Sequence, residues 1–213
     1  MSAELTLYVD SFYISPYAMC CFVALEEKRL PYTCKEVSLP DAQQHQPTYL
    51  ARTNRIPALQ HGDYWLAESQ AITEYLAETF PFPHHPRLFP ADLKERGICR
   101  ELMSWVRSDL IAIREERSTE TIWYGKPTSS LSAVAECAKA KLIATAERVV
   151  SGDRTTLFAE WCIADTDLAM MLQRLHLNGD TLPDKLVRYA EANWARPSVQ
   201  KWCDMKRKPF VAY

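Results

Sequence analysis

Ser15 stands immediately before Pro16, where a helical pattern opens. Serine is a favoured N-cap, and proline suits the first helical position because the N–H it lacks would have no partner there. A hydroxyl at the positive end of a helix can also donate to an anion held at that end. If the anion is a thiolate, the donor and the helix terminus lower its pKa and enlarge its nucleophilic fraction near neutral pH. A bound thiol could supply the sulfur. Capping and anion binding use the same geometry, so both readings stand.

Glu68-Ser69 marks a second helix start. There the Ser69 hydroxyl and N–H can donate to a carboxylate while the Glu68 carboxylate pairs with an amine, a combination that suits an α-amino-acid head group. Capping alone would also explain an acidic residue and a hydroxyl at a helix start. Arg55 precedes Ile56-Pro57, and a strand start distorted by proline leaves the Ile56 backbone able to pair with a peptide-like ligand in β fashion. Arg55 offers a cation for a second carboxylate or a solvated surface charge. His84-His85 has no Cys or carboxylate beside it, so no metal site is expected.

The elements that must position these residues follow from periodicity. Leu5 to Val9 alternates at a strand's period, and Tyr17, Cys21, Ala24 and Leu25 then recur at helical spacing. Lys28-Arg29 and Pro31 stop that helix. Tyr32 to Val37 is a second strand. Ile56 to Gln60 and Tyr64 to Ala67 form a hairpin closed near Gly62-Asp63, with a cis peptide as one way to accommodate Pro57. Helical spacing resumes from Ser69 through Ile72, Tyr75 and Leu76.

Phe80 to Pro90 holds four prolines, which no regular element tolerates, and reads as a linker. Every strong segment after it is helical: 93–116, 131–150, 163–177, 183–194 and 198–206. Thr181-Leu-Pro-Asp184 has the form of a capping box. The expected organisation is a small α/β domain over residues 1–80, a linker over 81–90 and an all-α domain over 91–213.

With 213 residues, 47% hydrophobic content, 24% charged residues and a net charge of -2, the chain has the composition of an ordinary globular protein. That balance argues against nucleic acid as a partner. No signal-peptide pattern or membrane-spanning apolar run is present, so the cytoplasm is the expected location and no membrane is expected as a partner. The seven cysteines, at 20, 21, 34, 99, 137, 162 and 203, include no C-x-x-C pair and read as mostly buried, reduced thiols.

The succession of strand, Ser-Pro-Tyr helix start, strand, Asn54-Arg-Ile-Pro-Ala-Leu59, hairpin, Glu68-Ser-Gln-Ala-Ile72, proline-rich linker and helical domain resembles the cytosolic glutathione S-transferase superfamily over essentially the whole chain. Trp105-Val-Arg-Ser-Asp-Leu110, Ile113-Arg-Glu-Glu-Arg117 and Glu160-Trp-Cys-Ile-Ala-Asp-Thr-Asp-Leu-Ala169 resemble the bacterial YfcF-type glutathione transferases.

The resemblance implies a thioredoxin-like N-terminal domain that binds glutathione and a helical domain that contributes the second-substrate pocket. By position, Ser15 would hydrogen-bond the glutathione sulfur, Pro57 would be the family's cis-proline and Ile56 would pair with the cysteinyl backbone. Glu68 and Ser69 would hold the γ-glutamyl end, with Arg55 and Gln44 toward the glycyl carboxylate. Trp105, Ser108, Ile111, Arg114 and Trp123 are candidate walls of the second pocket. Glutathione would be a co-substrate, with no metal, and the partner a small electrophile or hydroperoxide. A homodimer is implied. The alternatives are a non-catalytic binding or regulatory protein of the same fold, and a glutathione-dependent reductase of small disulfides.

Where chains built for thiol–disulfide exchange place Cys-Pro-Tyr-Cys, this one reads Ser15-Pro16-Tyr17-Ala18. A serine there cannot form a mixed disulfide, which moves the chemistry to the ligand's sulfur. In the first turn of the family's buried helix, Cys162 stands three residues before Asp165 where Ser or Thr is usual. A thiol is a poor acceptor, so a weakened capping box is expected.

Overall fold

Leu5–Asp10 buries nearly every residue on both faces, as a strand with neighbours on either side must, and it forms β1 at the middle of a sheet. The computed structural model describes residues 4–50 and 52–212. Across the sheet the order is β2 (Thr33–Val37), β1, β3 (Ala58–His61) and β4 (Tyr64–Ala67). β2 runs parallel to β1, while β3 is antiparallel to both β1 and β4. A parallel pair needs a crossover, and α1 (Pro16–Glu27) supplies it. Gly62, at φ 61°, closes the β3–β4 hairpin where the sequence placed its turn.

The residues sort by contact into two units, 1–88 together with 200–213, and 89–199. In the first, α1 packs against α3 (Ser69–Thr79). Residues Ala18 to Leu25 of α1 are all buried, so that helix is apolar on every side rather than along one stripe. A separate cluster joins Val37, Tyr49 and Ala58 with Tyr8, Ile56 and Trp65. The rings of Tyr8 and Trp65 stack there at 4.8 Å. Tyr49 belongs to α2 (Pro47–Leu50), which follows a 3-10 turn at Gln43–His45; neither element is long enough to show a period in the sequence.

Helices α4 (Leu93–Ser108), α5 (Ile111–Glu116), α6 (Thr119–Trp123), α7 (Ala133–Val149), α8 (Ile163–His176) and α9 (Asp184–Trp194) make the second unit. α10 (Pro197–Cys203) follows and carries the chain back into the first. The helical spacing predicts one helix over 93–116. The structure divides it at Leu110, whose side chain is fully buried and whose backbone leaves the helical region at φ -103°, ψ 32°. The capping box expected at Thr181 does not form. Leu182 precedes a proline and is biased away from helical angles, so α9 starts after Pro183, which serves as its N-cap.

α8 is buried from Ile163 to Leu175. Asp165 secures its first turn: its carboxylate accepts from Cys162 N, Leu157 N and the Tyr189 hydroxyl, each at 2.8 Å. The return arm, from the Asp165 N–H toward the Cys162 thiol, is a sulfur contact short of a regular hydrogen bond. All seven cysteines are free; Cys20, Cys21, Cys99 and Cys162 are buried, Cys34 and Cys203 half-buried, and Cys137 exposed. Asp165→Ala strands three buried donors at about 1 kcal/mol or more each, so a fall in melting temperature of roughly 6–12 °C is expected by calorimetry.

Candidate functional site

Strand register brings several chain ends to one edge of the sheet. Asp10 at the end of β1 pairs with Val37 at the end of β2. Ala58 pairs with Tyr8 on one side and Ala67 on the other, which sets Pro57 and Glu68 next to each other at the same edge. α1 and α3 both begin there, so two positive helix ends converge with the start of β3.

Asp10 shapes the turn that leads into α1. Its Oδ1 accepts from Phe12 N at 3.2 Å and from Ile14 N at 3.0 Å, and its Oδ2 accepts from Ser15 N at 3.1 Å. A backbone bond from Tyr13 N to Asp10 O, 3.1 Å, closes the same turn. The carboxyl is 1% exposed, and burial raises its pKa above the ordinary 3.8 while the three N–H bonds pull the other way. Sequence reasoning missed this residue, although an aspartate ending a strand just before a helix start is a recognisable turn former.

Ser15 is the N-cap of α1 as its type suggested, with Oγ accepting from Ala18 N at 3.2 Å. Among the described residues its O–H donates to nothing, so the hydroxyl caps with a lone pair and keeps its proton available. Glu68 occupies the N-cap position of α3 without making a side-chain cap bond, and its backbone is left-handed at φ 68°, ψ 115°. For a residue other than glycine that conformation costs on the order of 1–3 kcal/mol. Its exposed carboxylate has no partner among the described residues. Ser69, the first residue of α3, is buried, and its carbonyl accepts a weak bond from the Cys21 thiol at 3.8 Å, which places that cysteine in the core.

The Ile56–Pro57 peptide is cis. β3 begins only at Ala58, and neither the N–H nor the carbonyl of Ile56 has a partner among the described residues. Arg55 is exposed; its carbonyl accepts from the Tyr49 hydroxyl at 2.8 Å, and its guanidinium pairs with no described residue. Gln44 lies in the 3-10 turn after β2, with its Oε1 buried and unbonded.

The residues expected to wall a second pocket lie on α4, α5 and α6. Trp105 lines a cavity of about 490 Å³ within the helical unit, beside Ile98, Leu102, Arg148, Leu157 and Phe158. Ser108 instead donates weakly back to the Ser104 and Trp105 carbonyls. Ile111 is exposed, Arg114 is half-buried on α5, and Trp123 stacks on Trp194 at 5.6 Å. Burial pushes the thiols of Cys34 and Cys203 up to about 11, so neither supplies a thiolate near neutral pH. Among the described residues no group of His, Cys, Asp or Glu is placed to hold a metal ion, and no helix is long and apolar enough to cross a membrane.

Two family models match the chain: glutathione S-transferase, N-terminal domain, over residues 10–85, and glutathione S-transferase, C-terminal domain, over residues 92–208. A glutathione transferase homolog from Burkholderia, solved with bound glutathione, is 41% identical with a TM-score of 0.77, covering 93% of this chain and 95% of that one. A theta class enzyme from Xanthomonas axonopodis pv. citri shares the fold at 22% identity, with a TM-score of 0.74 and coverage of 97% and 99%. Mouse glutathione S-transferase theta-3 is 30% identical over 50% of this chain and 43% of its own length. Arabidopsis glutathione S-transferase F10 is 38% identical over 44% and 42%. The matches thus span under half the length of these curated relatives.

A carboxyl whose pKa is higher folded than unfolded stabilises the fold most when protonated. The pH-dependent contribution of Asp10 is therefore complete below pH 3.8 and is lost as pH rises through its raised folded value. In Asp10→Asn that slope disappears, and an amide NH₂ facing the Ser15 N–H lowers stability by about 1–3 kcal/mol. Urea unfolding of both proteins across this pH range measures both effects.

Proposed function

The chain belongs to the cytosolic glutathione S-transferase superfamily, and from that premise we propose that it binds glutathione at the sheet edge and activates its thiolate for attack on a small electrophile. The observation that carries the reading is Ser15: it caps α1 with an acceptor lone pair while its proton stays uncommitted at the positive end of the helix. A thiolate held there gains a donor without Ser15 being deprotonated, so no His or Asp partner is needed.

The remaining groups match the ends of the tripeptide. Glu68 would pair with the γ-glutamyl amine, and Ser69 with the γ-glutamyl carboxylate at the start of α3. The unpaired backbone of Ile56 beside cis-Pro57 would take the cysteinyl main chain as a strand would. Arg55 and Gln44 would face the glycyl carboxylate. The strained backbone of Glu68 supports this assignment, since a costly conformation that yields no cap is what a ligand clamp accounts for.

In conjugation the sulfur lone pair forms the new S–C bond, the leaving group departs with its electrons and the thiol proton goes to solvent. The same thiolate can attack a hydroperoxide oxygen, releasing an alcohol, after which a second glutathione gives the disulfide and water. Thiolate activation and proximity are the terms such a site supplies. A homodimer in which α4 takes part goes with this reading, supported by Leu93 and Ile98 standing exposed on that helix.

Ser15→Ala is expected to raise the pKa of bound glutathione by about 1–2 units, and thus to lower turnover about 10- to 100-fold near neutral pH, with glutathione affinity nearly intact. Glu68→Ala is expected to weaken binding about tenfold, or ~1.4 kcal/mol. Ultraviolet titration of the bound thiolate and calorimetric binding measure both. Saturable binding with no pKa shift in the wild type would point to a carrier, and no binding at all to the non-catalytic reading.

A further inference from the structure

Beyond residue 199 the chain belongs by contact to the first unit, and Trp202, Arg207, Lys208 and Phe210 hold the turn before Ser15 and its neighbours. Nη2 of Arg207 donates to the Tyr13 carbonyl at 3.1 Å and to the Trp202 carbonyl at 3.0 Å. Nη1 donates to the carbonyls of Cys203, 2.8 Å, and Met205, 3.1 Å. One guanidinium thus satisfies the open end of α10 and fastens it to the turn. Trp202, fully buried, sets its ring edge-on to Tyr13 at 5.5 Å, and Phe210 packs on Phe12 at 5.2 Å. Lys208 pairs with Glu36, which also accepts from the Tyr13 hydroxyl at 3.1 Å.

Tyr13 is the strained point of this turn, a non-glycine residue at φ 53°. Such a conformation is costly and persists only where neighbours over-determine it. Asp10 restrains the N–H groups of Phe12, Ile14 and Ser15 from within. The carbonyl of Tyr13 is restrained by Arg207 from the opposite end of the sequence.

We propose that Arg207 is a positioning residue for Ser15, fixing the Tyr13 carbonyl and thereby the direction in which the Ser15 hydroxyl is presented at the start of α1. The inference rests on the reading that Ser15 donates to the glutathione thiolate. Arg207 touches no substrate and acts only through the turn. A planar fork that serves several carbonyls at once is the property this place uses, and a lysine offers a single point instead.

The test is ultraviolet titration of glutathione bound to Arg207→Ala and Arg207→Lys, with turnover and glutathione affinity measured alongside. Lys201→Ala is the control, since its ammonium pairs with Glu26 in the last turn of α1. Arg207→Ala is expected to raise the bound thiol's pKa by about 0.5–1 unit and lower kcat about three- to tenfold near neutral pH, with glutathione affinity within about twofold. Arg207→Lys should fall between it and the wild type, and Lys201→Ala should titrate as the wild type. In a Ser15→Ala background Arg207→Ala should add no further shift, because it acts through the missing hydroxyl.

A wild-type titration by Arg207→Ala, or a shift that persists undiminished without Ser15, overturns the positioning role. If Arg207→Ala does not fold, Arg207→Lys decides alone, and a wild-type titration by it has the same meaning. If Ser15→Ala itself leaves the bound thiol unmoved, the parent reading fails and this one with it; a shift by Ser15→Ala without one by Arg207→Ala removes the positioning role only.

Discussion

The carboxylate of Asp10 is the constraint on which the site depends. Between the end of β1 and the start of α1 the chain must reverse within a few residues, and the N–H groups exposed by that reversal lie where water has little access. One buried side chain collects three of them. A carboxylate does this better than an amide because all its lone pairs accept. The desolvation that raises its pKa is the counterpart of that arrangement. The turn that leads into α1 and presents Ser15 depends on it.

The same edge explains why the protein's own sulfurs can be spared. Cys20 and Cys21 lie in the core, and burial holds the Cys34 and Cys203 thiols protonated. In the proposed function the positive ends of α1 and α3 would be left to a sulfur and a carboxylate brought by a ligand. A helix end and a hydroxyl are weak donors singly. They gain from being fixed in advance, since no reorganisation is then needed as charge develops.

Much of this arrangement could be read from local sequence. The strand periods, the Ser15-Pro16 start, the hairpin turn at Gly62 and the proline before β3 each follow from residues within one turn of one another. The division of α4 from α5 could not, because it depends on Leu110 being drawn into a core that no window of sequence reveals. Nor could the roles of Asp10 and Arg207. The first is a side chain folding back on its own backbone, and the second joins residues 194 apart in the chain. The weak thiol arm at Cys162 was visible in advance because it needs only the chemistry of sulfur. The burial of Trp105, Ser108, Ile111, Arg114 and Trp123 was the least legible, since exposure along a helix is decided by neighbours far away in sequence.

The first unit is discontinuous, and that bears on how the molecule is made. Its sheet and α1 leave the ribosome before the helices of residues 89–199 have been synthesised, yet Trp202, which packs on both Phe22 and Tyr13, comes after those helices. A nascent chain therefore carries an incomplete N-terminal lobe, with an uncovered aromatic patch, for as long as the intervening helices take to emerge. Trp202 and Arg207 complete the turn that Asp10 begins, so a product truncated before them would contain every sheet residue and still lack a finished Ser15 turn.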